Sequence, residues 1–258
     1  MNISNSLEVA GMFIVRFLFV LIPIFIGQLY GRYKRSKPTS VNLASVDTIV
    51  AAAFGLLAFM LAFTFQIAAD RYNSRRELLL DEVTNIRTAY LRSGLIPEPF
   101  RSDSRSLLVE YTHLRVETAN DVTKLDSAMA CSQQILDKLW NTAEKLAEMD
   151  NSSEIYALFT STVNDLIDNY NHRITMIFQY RIPAQVLWVL FIITFLSMLV
   201  LGYQSGISGK GSTIMNLVLA IIFTVVMFLI LALDNPETGL LNLNQEPVFA
   251  LENFFNEQ

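Results

Sequence analysis

The sequence predicts an all-α membrane protein: four transmembrane helices, with an all-helical extramembrane domain inserted between the second and the third. Three observations carry this. Four apolar stretches, near residues 11–30, 46–69, 184–204 and 212–233, each supply the roughly 20 helical residues that cross a hydrocarbon core of about 30 Å. Between the second and third lies a polar middle whose apolar residues recur at helical spacing, with no strand-like alternation. The composition agrees: 52% of the 258 residues are hydrophobic and 17% are charged, with mean hydropathy +0.38. Soluble domains carry about a quarter charged residues. The chain divides into a first transmembrane hairpin (1–69), the helical domain (70–183), a second transmembrane hairpin (184–233) and a C-terminal tail (234–258).

The lipid bilayer is thus the first partner. A net charge of −5, with basic residues scattered or beside the apolar stretches, argues against nucleic acid. The lone Cys131 rules out an intramolecular disulfide or a thiolate metal cluster, and is expected as a small helix-packing residue.

The first stretch reads as a retained anchor. Residues 1–10 hold no Lys or Arg, and the basic cluster Arg32, Lys34, Arg35 and Lys37 follows the apolar run. Arg16 lies near enough to its start to snorkel, and Pro23 is tolerated because neighbouring helices can compensate a lost hydrogen bond.

The second stretch opens after a loop over 31–45, with Ser45 expected as N-cap. Its residues sort into three faces. Ala51, Gly55, Ala58, Ala62 and Ala69 form a narrow small-residue stripe suited to close helix packing in lipid. Phe59, Phe63, Gln66 and Asp70, at spacings of four, three and four, form a second face. Leu57, Leu61 and Phe65 lie on the far side and are expected to meet lipid.

Helical spacing continues without a breaker through 70–92, with Leu79, Val83, Ile86 and Tyr90 as an apolar stripe, to a stop near Gly94, Pro97 and Pro99. Further helices are predicted over 100–119 and 124–148. A fourth opens at a capping box of Asn151 and Glu154 and carries Ile155, Phe159, Val163, Leu166, Tyr170, Ile174 and Ile177 on one face. The third and fourth membrane stretches are joined by a predicted flexible loop, 205–211.

Catalytic chemistry finds little support. His113 and His172 lie on different predicted helices without metal-ligand spacing, and His172 stands with Asp168 and Arg173 on what reads as a solvated face. Gly206, Gly209 and Gly211 lack the lysine-serine ending and the preceding strand of a nucleotide loop, since Gly211 follows Lys210. No enzyme activity, cofactor or metal is expected.

From the second stretch onward the residues resemble the bestrophin-like family of bacterial membrane proteins. Gly55-Leu56-Leu57-Ala58-Phe59 through Phe63, Asp70-Arg71-Tyr72, Arg75-Arg76 and Asp81-Glu82 carry the resemblance. So do Thr88-Ala89-Tyr90-Leu91-Arg92, Arg181-Ile182-Pro183, Leu233-Asp234-Asn235-Pro236, Gly239 and Glu246-Pro247. True bestrophins are pentameric anion channels whose second membrane helix lines the pore. The resemblance therefore implies a homo-oligomer conducting small anions such as chloride, with a bestrophin-like fold. Phe59 and Phe63 would be its gate, with Gln66 and Asp70 below them. Arg71, Arg75 and Arg76 would be either an anion funnel or interface anchors. Of the calcium clasp that follows the fourth membrane helix in bestrophins, Asp234 and Glu237 are the weak counterparts. The other functional reading is a non-conducting sensor or scaffold whose helical domain binds a partner or signal.

Five basic residues in the short loops (Arg32, Lys34, Arg35, Lys37, Lys210) face six on the opposite flanks (Arg71, Arg75, Arg76, Arg87, Arg173, Arg181). The first segment usually dominates orientation, so its basic trailing end places the 31–45 loop in the cytoplasm and the helical domain outside. Bestrophins keep that domain in the cytosol. A cysteine at Gly211, in a Cys131→Ser background, is expected to react with a thiol reagent only from the cytoplasmic side. Labelling confined to the outside reverses the assignment.

Overall fold

The apolar runs become helices, and the first continues through Pro23 as a membrane helix can. The computed structural model describes residues 3–36, 42–178, 181–209, 213–234 and 243–257. Among these residues lie α1 (Ile3–Arg35), α2 (Leu43–Ser93), α3 (Phe100–Asn120), α4 (Leu125–Met149), α5 (Glu154–Phe178), α6 (Ala184–Ser208), α7 (Thr213–Asp234) and α8 (Glu246–Asn256), with one 3₁₀ turn (Val122–Lys124). No strand occurs among them.

Several ends differ from expectation. Asn42, not Ser45, caps α2: its Oδ1 accepts from the Ala44 amide at 3.1 Å, three residues earlier than expected. Ser153 stands as the cap of α5, its Oγ 3.4 Å from the Tyr156 amide, while Asp150 instead accepts from Ser152 in a local turn. The α6 helix runs to Ser208, so Ser205, Gly206 and Ile207 are helical rather than loop. It closes on Gly209, whose φ of +66° is the left-handed conformation that ends helices. The stretch after α7 includes α8.

The chain forms two compact units: Met1–Tyr72 with Arg181–Asn242, and Asn73–Tyr180 with Leu243–Gln258. The first contains α1, α6, α7 and the first part of α2; all four helices are long and apolar enough to cross a membrane. At most 28% of each apolar window is buried within the protein, so most of this greasy surface requires an apolar solvent.

Glycines bring α1 and α6 together, side by side and parallel. A Cβ on Gly27 would lie 2.1 Å from the Leu199 carbonyl, one on Gly202 2.0 Å from Ile24 O, and one on Gly206 2.4 Å from Gln28 O. Gly31 meets the Tyr203 carbonyl in the same way at 2.4 Å. Backbone thus touches backbone, the contact that small residues four apart permit in lipid. Antiparallel to α6, α2 is tied to it by Ser197 Oγ donating to Ala53 O (3.3 Å) and Gln204 Nε2 donating to Asp47 Oδ1 (2.6 Å). Phe54 of α2 packs edge-on against Phe223 of α7. Among the described residues Arg16 has no ion partner; its guanidinium sits 5.2 Å from the Phe228 ring centre.

The second unit has an apolar core of its own. Ile86, Tyr90, Leu108, Tyr111, Leu136, Leu139, Phe159, Val163 and Leu166 are buried at its centre. The rest of α2 runs antiparallel to α5, with Asn85 Nδ2 donating to Asp165 O and Asn169 Nδ2 to Leu78 O. α8 seats Leu251 in this core and stacks Phe255 4.6 Å from Tyr90. Cys131, expected to pack, is exposed on α4, while its neighbour Ser132 turns inward.

Gly202→Ala is expected to lower the unfolding temperature in detergent, since overpacking costs about 1–3 kcal/mol even where side chains can yield, and here backbone must move. Gly11→Ala, which meets nothing within 4 Å, is expected to leave it unchanged.

Candidate functional site

Two arrangements stand out, one in each unit. In the first, α2 buries Leu57 (0% exposed), Leu61 (7%), Thr64 and Ala68 along one face. Leu57 and Leu61 had been expected to meet lipid; instead they fill the core, joined by Val20, Ile24, Met198 and Met227. Hydrophobicity does not separate core from lipid inside a membrane, so size and fit decide. Phe65 stays partly exposed.

The opposite side of α2 is turned away from the chain's own core. Phe59 is 66% and Phe63 50% exposed, and their rings stack with centroids 6.5 Å apart and planes 10° from parallel. One turn on, Gln66 Nε2 donates to Asp70 Oδ1 at 2.7 Å, both side chains exposed. Ala51, Gly55, Ala58 and Ala62 are exposed as well. The small-residue stripe therefore does not pack within this unit; a Cβ on Gly55 would meet nothing within 4 Å.

The three arginines part company. Arg71 is half-buried in the first unit, with Nη1 enclosed and unpartnered, while Arg75 and Arg76 belong to the second. Asp234 is buried at the end of α7 and accepts the Ile182 amide at 3.0 Å, so its carboxylate holds the approach to α6. Glu237 lies outside the described residues. No group of three or more His, Cys, Asp or Glu side chains able to hold a metal occurs among the described residues. His113 pairs with Glu252 of α8 at 2.7 Å, and His172 is exposed.

The second arrangement went unread in the sequence. Glu82 of α2, 1% exposed, accepts Tyr111 Oη on Oε1 (2.7 Å) and Arg115 Nε on Oε2 (3.1 Å), both from α3. Arg173 of α5 brings Nη2 to 3.4 Å from Oε1. Three helices therefore converge on one carboxylate. Arg173, expected on a solvated face, is instead largely buried. A signal was present: Glu82 falls in phase with Leu79 and Ile86, Arg115 with Leu108 and Tyr111, and Arg173 with Leu166 and Asn169. Charges in phase with three apolar stripes point into a shared interior.

Burial by itself would raise the Glu82 carboxyl's pKa. Arg115 and Arg173, with the hydrogen bonds from Tyr111 and Arg115, outweigh that and hold it below the ordinary glutamate value. Burial, and then the Glu82 charge, push the Tyr111 phenol far up, so it remains a neutral donor.

Four apolar spans and a helical unit with its own core define a multi-pass membrane protein. The chain belongs to the bestrophin-like family, whose domain matches residues 18–248. Its fold is similar to crystal structures of a bacterial bestrophin homologue from Klebsiella pneumoniae. One variant matches with TM-score 0.68 at 17% identity over 96% of each chain. Another gives 0.64 at 16% identity over 95% of this chain and 97% of that one. At these identities the likeness speaks for the fold. No curated protein matches the sequence.

Glu82→Leu, which leaves two buried cations without their carboxylate, is expected to destabilise the second unit by about 3–5 kcal/mol, read as lost hydrogen-exchange protection in α3 and α5. In the unfolded chain Glu82 titrates near ~4.3. Because the folded value lies lower, the cluster's contribution is complete above that pH and is lost as pH falls through the folded pKa. Acid unfolding is thus expected to steepen below about pH 4, and a Glu82→Gln variant to lose that added steepness.

Proposed function

We propose that the chain is the pore subunit of a homo-oligomeric anion channel of the bacterial inner membrane, with α2 lining the symmetry axis. One observation carries this reading: the stacked Phe59 and Phe63 point away from the protein while the same helix buries Leu57 and Leu61. An aromatic pair so exposed is either lipid-facing or faces its own copies around an axis. The bestrophin-like family membership favours the second.

Rings of Phe59 and Phe63 around an axis form an apolar constriction that gates by dewetting, since water and ions leave a narrow greasy neck together. The neighbouring Ala51, Gly55, Ala58 and Ala62 let adjacent copies of α2 approach closely. Gln66 and Asp70 give the far end of the neck a polar lining, and Arg71, Arg75 and Arg76 add positive charge that raises the local anion concentration. By analogy with bestrophins the assembly is a pentamer, and the second unit lies outside the bilayer. Conduction in this scheme is passive, with no chemical step.

Purified protein in a planar bilayer is expected to pass chloride in preference to sodium, and the Phe59→Ala, Phe63→Ala double variant to raise the current at least several-fold. A silent double variant, or a stable monomer by mass in detergent, overturns the axial pore and leaves the sensor or scaffold role. A Gly55→Leu change is expected to weaken the oligomer without altering the monomer's helix content.

A further inference from the structure

The ion cluster of the second unit carries a charge in excess. Glu82 is the one carboxylate in ion-pair contact with Arg115 or Arg173 among the described residues, so two guanidinium cations share one anion. Tyr111 adds no charge, since its phenol stays neutral. Other nearby acids are turned elsewhere: Asp81 and Glu110 are exposed, and Asp168 is exposed and accepts from Asn164.

An uncompensated charge in a low-dielectric interior is strongly unfavourable, and the usual remedies are a partner, a π-face or water. The π-face is weak here: the Arg173 guanidinium stands 5.9 Å from the Tyr170 ring centre, at the edge of useful range. Arg173 Nε is enclosed with no partner. Both arginine side chains nevertheless keep 11% exposure, so neither is wholly sealed from solvent. One turn before Arg173 on the same helix, Asn169 Oδ1 is also enclosed without a partner, a single neutral acceptor that does not balance the charge.

We infer that Arg115 and Arg173 hold a small inorganic anion, of the halide or nitrate class, as the second counter-charge of this cluster. A guanidinium offers donors only, so the ligand must be an acceptor, and a compact monoanion neutralises the surplus. Such a site makes the second unit's stability respond to the anion present. It does not depend on conduction: a chain that passes no current would still bind.

The test uses the full-length protein in detergent, melted in sodium chloride and in sodium gluconate at equal ionic strength. Chloride is expected to raise the unfolding temperature saturably, by roughly 2–4 °C, with bromide equivalent. Arg173→Gln, which leaves a one-to-one pair of Glu82 and Arg115, is expected to melt at the same temperature in both salts. Equal melting of the natural chain in both salts overturns the site, as does a chloride response that survives in Arg173→Gln. Should that variant not fold, crystals of the natural protein grown in bromide decide: an anomalous peak beside Arg115 and Arg173 supports the site, and a map without one there refutes it.

Discussion

The first unit depends on how helices hold together when the solvent is as greasy as they are. Apolar burial offers little drive between helices in lipid, so association falls to close fit and to the few available hydrogen bonds. The glycines of α1 and α6 supply that fit. Gly27, Gly31, Gly202 and Gly206 take the side chain away at four points of the crossing, and there the two backbones meet at distances a single methyl group would forbid. With α1 and α6 fixed in this way, α7 packs alongside and α2 is fastened by Ser197, Gln204 and the ring contact of Phe54 with Phe223. Only with one face of α2 committed to that core is its other face free for Phe59 and Phe63.

A single helix, α2, thus answers to two solvents. Its first part is sorted by fit, with leucines inward and small and aromatic residues outward. Beyond Asn73 the ordinary rule of globular proteins returns, and the apolar stripe of Leu79, Ile86 and Tyr90 is buried as expected. Glu82 breaks that rule within the stripe. A lone carboxylate there would be prohibitive; Tyr111, Arg115 and Arg173 make it tolerable by saturating both oxygens. Removing Glu82 strands both arginines, so three helices are bound to one register.

What the sequence revealed follows from these physics. The four spans, the stop at Pro97 and Pro99, and the inward face of α5 from Phe159 to Tyr170 were legible, because length, breakers and amphipathic period are local signals. The exception in α5 is Ile155, which is 45% exposed at the helix start. The inward face of α2 is hidden in the sequence because leucine is equally at home in core and lipid, and no polar contrast marks the difference. Gly206 read as loop because glycine near a turn usually is one. Its partner lies on α1, far off in sequence. Serine caps well, so the sequence points to Ser45 for α2, though Asn42 caps earlier and the helix runs through Ser45.

The ion cluster was hidden for a different reason. Each charge looked like surface when read alone: Glu82 follows Asp81, and Arg173 follows His172 in a polar run. Only phase distinguishes them, and phase becomes decisive when three helices show it together. Asp81 and His172 are exposed, while the residue after each is drawn inward by one helical step. A buried cluster of this kind gains less stability than an apolar core of equal volume would. Its place beside an otherwise well-packed interior therefore points to something apolar packing cannot supply: a fixed helix register, and a surplus of cationic donors.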